Sequence, residues 1–187
     1  MKTTPAAEYA VLGALMSGPK HGYEIIQFLE NALGFSWYVG TSQLYSVLKR
    51  LERDGLVRST VETQHNRPSK RMFTLTKEGR EALKSWLKTP SEHVRDMRVE
   101  FLAKLFFLRN LSRKEGPELI EAQIRVLEKS KERISKKKRQ EEDLYFKLVY
   151  EFKLATVDAW LKWLVRQAKP FMEKSLAAGR SNDDQDI

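Results

Sequence analysis

Cysteine is absent from all 187 residues, which excludes a disulfide-stapled secreted module, a thiolate zinc finger and an iron–sulfur protein together. Histidine is scarce: His21, His65 and His93 are scattered without metal-ligand spacing, so neither a catalytic metal nor a cofactor is expected. The nine glycines are dispersed as turn and cap residues, and no G-x-x-x-x-G-K loop is present to cradle a phosphate. No serine–histidine–aspartate ordering appears either, and an enzyme is not expected. Long apolar runs are missing too. The most apolar stretch, Leu144 to Val165, is broken by Lys147, Glu151, Lys153, Asp158 and Lys162, which is incompatible with a transmembrane span. The opening Met1-Lys2-Thr3-Thr4-Pro5 lacks a basic stretch followed by an apolar core, so no export signal is read and a cytoplasmic location is expected.

What the chain has in excess is positive charge: 34 Lys and Arg against 25 Asp and Glu, a net +9. Its placement matters more than its size. Residues 41 to 71 hold Lys49, Arg50, Arg53, Arg58, Arg67, Lys70 and Arg71 against only Glu52, Asp54 and Glu62. Such clustering is what a polyanion-binding face requires, although a merely solvated helix face would look the same by charge alone.

Hydrophobic periodicity organises the first half. Thr4-Pro5 reads as a helix start, with proline at the first helical position, and an apolar stripe then runs to Met16 before Ser17-Gly18-Pro19 breaks it. Tyr23, Ile25-Ile26, Phe28-Leu29 and Leu33 recur at helical spacing and predict a second helix over 21–33. Leu44, Val47-Leu48 and Leu51 form an i, i+3, i+4, i+7 stripe behind the Thr41-Ser42 cap, ending at Asp54-Gly55. That third helix leaves Gln43, Tyr45, Ser46, Lys49, Arg50 and Arg53 on or near its other face. Residues 56–62 and 71–76 then alternate with strand periodicity around a turn-like segment, predicting a β-hairpin with Arg67, Lys70 and Arg71 at its tip. Thr76 caps a fourth helix to Leu87, and Thr89-Pro90-Ser91 marks a boundary near residue 90.

Three helices, a cationic hairpin and a fourth helix make a winged helix-turn-helix pattern over 1–90, with double-stranded DNA as the expected partner. Gln43 and Ser46 are the base-reading candidates, because glutamine can pair bidentately with adenine; Lys49, Arg50, Arg67, Lys70 and Arg71 would neutralise phosphates.

Residues 91–179 read as an all-α domain. A short helix carries Val99, Leu102-Ala103 and Phe106, and a longer one runs from a capping box at Ser112 to about Arg139 with one thin apolar seam. Its basic end, Lys136-Lys137-Lys138-Arg139, reads as a solvated helix terminus. In the last helix Tyr150, Leu154, Val157, Leu161, Leu164, Ala168 and Phe171 step by four and three, and Pro170 should kink it. Phe146, Val149, Phe152, Trp160 and Trp163 widen its apolar arc beyond one neighbouring helix, so Tyr150, Leu154, Val157, Leu161, Leu164 and Phe171 are expected to join two copies into a homodimer. Residues 180–187 read as a disordered polar tail.

Several strings resemble the PadR-like family of winged helix-turn-helix transcriptional regulators: Tyr9-Ala10-Val11-Leu12-Gly13, Gly18-Pro19-Lys20-His21-Gly22-Tyr23-Glu24, Ser42-Gln43-Leu44-Tyr45, Leu48-Lys49-Arg50-Leu51-Glu52-Arg53-Asp54-Gly55-Leu56-Val57 and Leu75-Thr76-Lys77-Glu78-Gly79-Arg80. The helical second half is similar to the C-terminal domain of that family's larger, virulence-activator-related branch. The resemblance implies a homodimeric DNA-binding protein, commonly a repressor, which in some relatives releases DNA on binding a small aromatic or hydrophobic effector. It adds Tyr23 and Ser42 to the expected DNA contacts, beside Gln43, Tyr45, Lys49, Arg50, Lys70 and Arg71. Two residues depart from the pattern: Phe73 stands where a tyrosine is usual, and Ser46 where proline is frequent. The aromatics Trp37, Tyr38, Trp86, Phe101, Phe106, Phe107, Trp160 and Trp163 could line an effector pocket or fill a core. A dimeric protein-docking adaptor would use the same fold without preferring any DNA sequence.

Overall fold

A computed structural model of the chain describes residues 5–34, 39–64, 67–111 and 115–175; the side chains of 5, 62–64, 67–70 and 111 lie outside the description. The chain divides into two compact units, one of residues 1–87 with 98–106, the other of 88–97 with 107–187. The boundary expected near residue 90 is thus crossed three times, because 98–106 packs with the first unit.

The first unit is built around α1 (Pro5–Ala14), whose small side chains let neighbours approach on nearly every side: Ala6, Ala7, Ala10, Val11, Leu12 and Ala14 are all buried. α2 (Gly22–Leu33) and α3 (Thr41–Arg53) pack against it and against each other. α2 buries Ile25, Leu29 and Leu33; α3 buries Leu44, Val47, Leu48 and Leu51, the stripe read from its sequence. A two-residue strand β1 (Lys20–His21), invisible to periodicity, precedes α2 and pairs antiparallel with β3. β2 (Val57–Gln64) and β3 (Arg67–Leu75) form the hairpin, and the sheet order is β1-β3-β2. Register runs from Val57 opposite Leu75 to Gln64 opposite Arg67, with one irregularity between Glu62 and Gln64.

α4 (Lys77–Lys88) is pinned to the start of the hairpin by two residues. Thr76 Oγ1 accepts from Gly79 N at 3.0 Å and lies 2.8 Å from the Gly55 carbonyl oxygen, to which it donates. A Cβ on Gly79 would sit 2.0 Å from the Leu56 carbonyl oxygen, so only glycine permits that approach. Gly55 itself takes φ +71, the left-handed turn that ends α3. A π-helical turn, Met97–Phe101, leads into α5 (Leu102–Leu111). Phe101 is fully buried, Phe106 meets Phe28 edge-on, and Lys104 lies over the Trp86 ring, paired with Glu100. These contacts explain why 98–106 belongs to the first unit.

The second unit is a helical hairpin of α6 (Gly116–Gln140) and α7 (Leu144–Trp163), continued by a π-helical turn Leu164–Ala168 just before Pro170. The missing N–H of Pro170 is thus met by a widened turn. α6 starts at Gly116-Pro117 rather than at the capping box read at Ser112, which lies outside the described residues. Lys169–Glu121, Lys131–Asp158 and Lys138–Glu151 pair at successive levels and fix an antiparallel register, while Leu119, Ile120, Leu127, Val157, Leu164 and Met172 form the core. At the far end a Cβ on Gly116 would fall 2.0 Å from Met172 Cε. The buried Gln123 clamps the 88–97 segment through Ser91: it accepts from Ser91 N at 2.7 Å and donates to Ser91 O at 2.9 Å. Among the described residues no helix is long and apolar enough to cross a membrane.

Candidate nucleic-acid interface

Burial of Leu44, Val47, Leu48 and Leu51 decides which face of α3 points outward. Ser42, Tyr45, Ser46 and Lys49 are exposed at i, i+3, i+4 and i+7, with Gln43 half-buried beside them. Ser46 donates its hydroxyl to the Ser42 carbonyl one turn back, at 2.9 Å, and keeps its oxygen lone pairs outward. Tyr45 is held over the start of α2: a Cβ on Gly22 would lie 2.6 Å from Tyr45 Oη, so Gly22 is the floor on which the tyrosine rests.

That floor is itself fixed by a capping box. His21 Nδ1 accepts from Glu24 N, and the Glu24 carboxylate accepts from His21 N at 2.9 Å. The string His21-Gly22-Tyr23-Glu24 therefore serves the fold in three of its positions. Tyr23, the fourth, is 63% exposed, and its hydroxyl oxygen accepts from Gln27 Nε2 at 3.0 Å. Gln27 was not expected at the site; it lies one turn after Tyr23 on the same exposed face.

Two of the expected phosphate-binding cations are committed elsewhere. Arg50 is half-buried and its Nε pairs with Glu8 of α1. Arg71 reaches back from β3 to the last turn of α3: Nη2 to Glu52 Oε2 at 2.6 Å and Nε to Ser59 Oγ at 2.8 Å. Ser59 in turn donates to Glu52 Oε1 at 2.5 Å, and the Arg71 guanidinium stacks over Phe73. The Ser59 hydrogen bond, with Arg71 beside it, holds the Glu52 carboxyl below its ordinary value against the opposing effect of burial. The position where the sequence departs from tyrosine, Phe73, is buried and serves as the platform for this guanidinium. Spacing reveals which residues are basic but not which carboxylate each one meets, so Arg50 and Arg71 looked like free cations.

Lys49 and Arg58 are the exposed cations of the site that meet no carboxylate among the described residues. Arg58, paired across β2 and β3 with Thr74, was not singled out from the sequence. Its strand alternation was the available signal: Val57 is buried, so Arg58 faces out. Arg67 and Lys70 are placed by register on β3, opposite Gln64 and Glu62; their side chains lie outside the described residues.

Residues 11–85 match the model of the transcriptional regulator PadR-like family. Over those residues the chain is similar to the PadR-like family. Among curated proteins, the negative transcriptional regulator PadR of Bacillus subtilis is 33% identical over 117 residues, 63% of this chain and 64% of that protein. The probable transcriptional regulator Rv1176c of Mycobacterium tuberculosis is 31% identical over 85 residues, 46% of this chain and 45% of that one. The chain thus covers less than two thirds of each relative's length. Among solved structures, Bacillus subtilis PadR in complex with operator DNA aligns over 93% of this chain and 99% of its own, at 25% identity and a TM-score of 0.47.

In the helical part, beyond the PadR-like match, the expected dimer seam divides. Val157, Leu164 and Ala168 are buried within the protomer, in the core shared with α6, and so cannot face a second copy. Tyr150, Leu154 and Leu161 flank that core half-buried, and Phe171 is 44% exposed. The four-and-three stepping is the signature of any helix–helix seam, and α6 supplies the partner. The exposed apolar surface lies instead on the first half of α7, at Leu144, Tyr145, Phe146, Leu148 and Phe152, between 52% and 81% exposed. Of the aromatics expected to line an effector pocket or fill a core, Trp37 and Tyr38 lie outside the described residues. Phe101 and Phe107 are fully buried, and Trp86 stacks on Tyr9 with centroids 4.8 Å apart. Phe106 packs on Phe28, and Trp160 and Trp163 meet edge to face. Those described make cores and ring pairs.

Proposed function

We propose that this chain is a sequence-specific DNA-binding transcriptional regulator that acts as a homodimer and represses its targets. The observation that carries this reading is the outward face of α3: four exposed polar or cationic residues at helical spacing, with Gln43 beside them, beside a hairpin bearing Arg58, Arg67 and Lys70. In this reading Gln43 and Ser46 read base edges in the major groove, Ser42, Tyr45 and Tyr23 steady the backbone, and Lys49, Arg58, Arg67 and Lys70 neutralise phosphate. Arg71 and Arg50 act as positioning residues, the first tying β3 to the end of α3 and the second tying α3 to α1.

Two copies joined through α7 would present their third helices to successive major grooves about 34 Å apart on a pseudo-palindrome. Repression is supported by the name of the Bacillus subtilis relative, a negative regulator. Release by a small aromatic or hydrophobic effector belongs to the same reading; a panel of phenolic compounds titrated against the protein–operator complex tests it, and no release across the panel removes that part.

The decisive experiment is fluorescence anisotropy with the DNA upstream of the protein's own gene, across a salt series. Specific binding should exceed binding to random duplex by roughly a thousandfold or more. Gln43→Ala should cost about 1–3 kcal/mol at one half-site position and relax specificity there, whereas Lys49→Ala should weaken all sequences alike and flatten the salt slope by about one unit for the phosphate it no longer neutralises. Equal affinity for own-promoter and random DNA would remove this function and favour a protein-docking adaptor.

A further inference from the structure

The helical hairpin carries a cleft of about 600 Å³, bounded by α6, α7 and the segment 92–95. Its chemistry differs from the rest of the hairpin. Three lysines of the hairpin are neutralised across its seam, Lys131 by Asp158, Lys138 by Glu151 and Lys169 by Glu121. At the cleft that matching stops. Arg133, Lys137 and Lys153 line it and meet no carboxylate among the described residues; Arg95, also on the lining, pairs with Asp96 at 3.7 Å. Glu92 is the sole acidic residue of the lining. Three uncompensated cations around one cleft repel one another, and a multiply charged anion is what removes that cost.

The same cleft is half apolar. Tyr150 and Phe152 contribute rings, with the Lys153 ammonium 5.5 Å from the Tyr150 centroid, and Val157 is buried at its base. A ring beside clustered cations fits a ligand with a planar apolar part and several negative charges. An inorganic anion would leave the rings unused, and a neutral aromatic would leave the charges unmatched.

We propose that this cleft is a binding site for a phosphorylated aromatic molecule of nucleotide type, its phosphates held by Arg95, Arg133, Lys137 and Lys153 and its base laid against Tyr150 and Phe152. The proposal concerns the helical unit alone, so it stands or falls separately from the DNA-binding reading.

The test uses the full chain without DNA, and isothermal titration with ATP, pyrophosphate and adenosine as probes. ATP should bind saturably, pyrophosphate more weakly, and adenosine not measurably. The double variant Arg133→Gln/Lys153→Gln should weaken ATP by at least about tenfold, because two charge-assisted hydrogen bonds to phosphate go with it. Lys49→Gln, on α3 of the other unit, should leave ATP binding unchanged, and Tyr150→Leu should weaken ATP while sparing pyrophosphate. Circular dichroism confirms that each variant is folded. Adenosine binding as tightly as ATP, pyrophosphate matching ATP, or Lys49→Gln costing as much as the double variant would each overturn the proposal; the last would mean that a basic protein is attracting any polyanion. Loss of operator binding with the ATP results intact would count against the DNA reading only.

Discussion

Replacing Leu148 and Val157 separately by alanine distinguishes a seam within one chain from a seam between two. Leu148 is 62% exposed on α7, one turn after the exposed Leu144; Val157 is wholly buried against α6. Truncating leucine to alanine removes three carbon groups, worth roughly 2.4 kcal/mol if fully buried at about 0.8 kcal/mol each. Only the exposed 62% is available to a partner, leaving about 1.5 kcal/mol per copy. A two-fold interface uses the same residue twice, so Leu148→Ala should weaken dimerisation by about 3 kcal/mol, or roughly two orders of magnitude in dissociation constant. Unfolding of the isolated protomer should shift by less than about 0.5 kcal/mol. Val157→Ala should do the opposite: about 2 kcal/mol or more lost from protomer stability through the removed methyls and the cavity they leave, with the association constant nearly untouched. Sedimentation equilibrium gives the association constants, and urea unfolding at concentrations where the monomer dominates gives the stabilities. If Val157→Ala dissociates the dimer while Leu148→Ala leaves it whole, the assignment of the two faces is reversed and the reasoning fails.

Other outcomes follow from the first unit and its neighbour. The Glu52 carboxyl titrates below its ordinary value, so its contribution is fully present above the unfolded value near 4.5 and is lost as pH falls through the depressed folded value. Glu52→Gln should therefore flatten the acid limb of a urea-midpoint titration below about pH 4.5; identical limbs in both proteins would mean that the link to Arg71 and Ser59 carries no stability. Gly22→Ala should lower DNA affinity by displacing Tyr45 while changing stability little, because the atom in the way ends a flexible side chain, and Gly22→Ala/Tyr45→Ala should bind no worse than Tyr45→Ala alone. Gln123→Leu should lower thermal stability by about 1–3 kcal/mol for each Ser91 backbone group left unsatisfied; an unchanged melting temperature would show that water replaces both bonds.

The architecture of the first unit was legible because each element announces itself at its own period. The apolar stripe of α3 gives its buried face and, by subtraction, the exposed Ser42, Tyr45, Ser46 and Lys49. β1 was not legible, since two residues have no period. Residues 98–106 pack with the first unit, which spacing does not reveal: the pattern of Val99, Leu102-Ala103 and Phe106 marks an apolar helix face, not what covers it. The same limit explains α7: a step of four and three marks a helix seam, and whether α6 or a second chain occupies it depends on tertiary placement.

Charge shows this limit most sharply, and there the structure alters the chemistry rather than the list. Of the seven basic residues between 41 and 71, Arg50, Arg53 and Arg71 each pair with a carboxylate, Glu8, Asp54 and Glu52. An arginine in a fork with a carboxylate and a hydroxyl has committed several of its donors, and moving it to a phosphate would leave Glu52 facing Ser59 alone. Among the described side chains of that cluster, Lys49 on the helix and Arg58 on the strand meet no carboxylate, and they therefore carry more of the expected salt dependence than Arg50, Arg53 and Arg71. The arginines fix where those two stand: Arg71 holds the hairpin against the last turn of α3, and Arg50 holds α3 against α1. Arg71→Ala should accordingly weaken DNA binding chiefly by loosening the angle between hairpin and helix, so its loss should vary with operator sequence. Lys49→Ala, which leaves one phosphate without its cation, should lower affinity for every duplex by the same factor. Anisotropy on a set of single-base operator variants separates the two, and a uniform loss for Arg71→Ala would return that residue to the phosphate contacts.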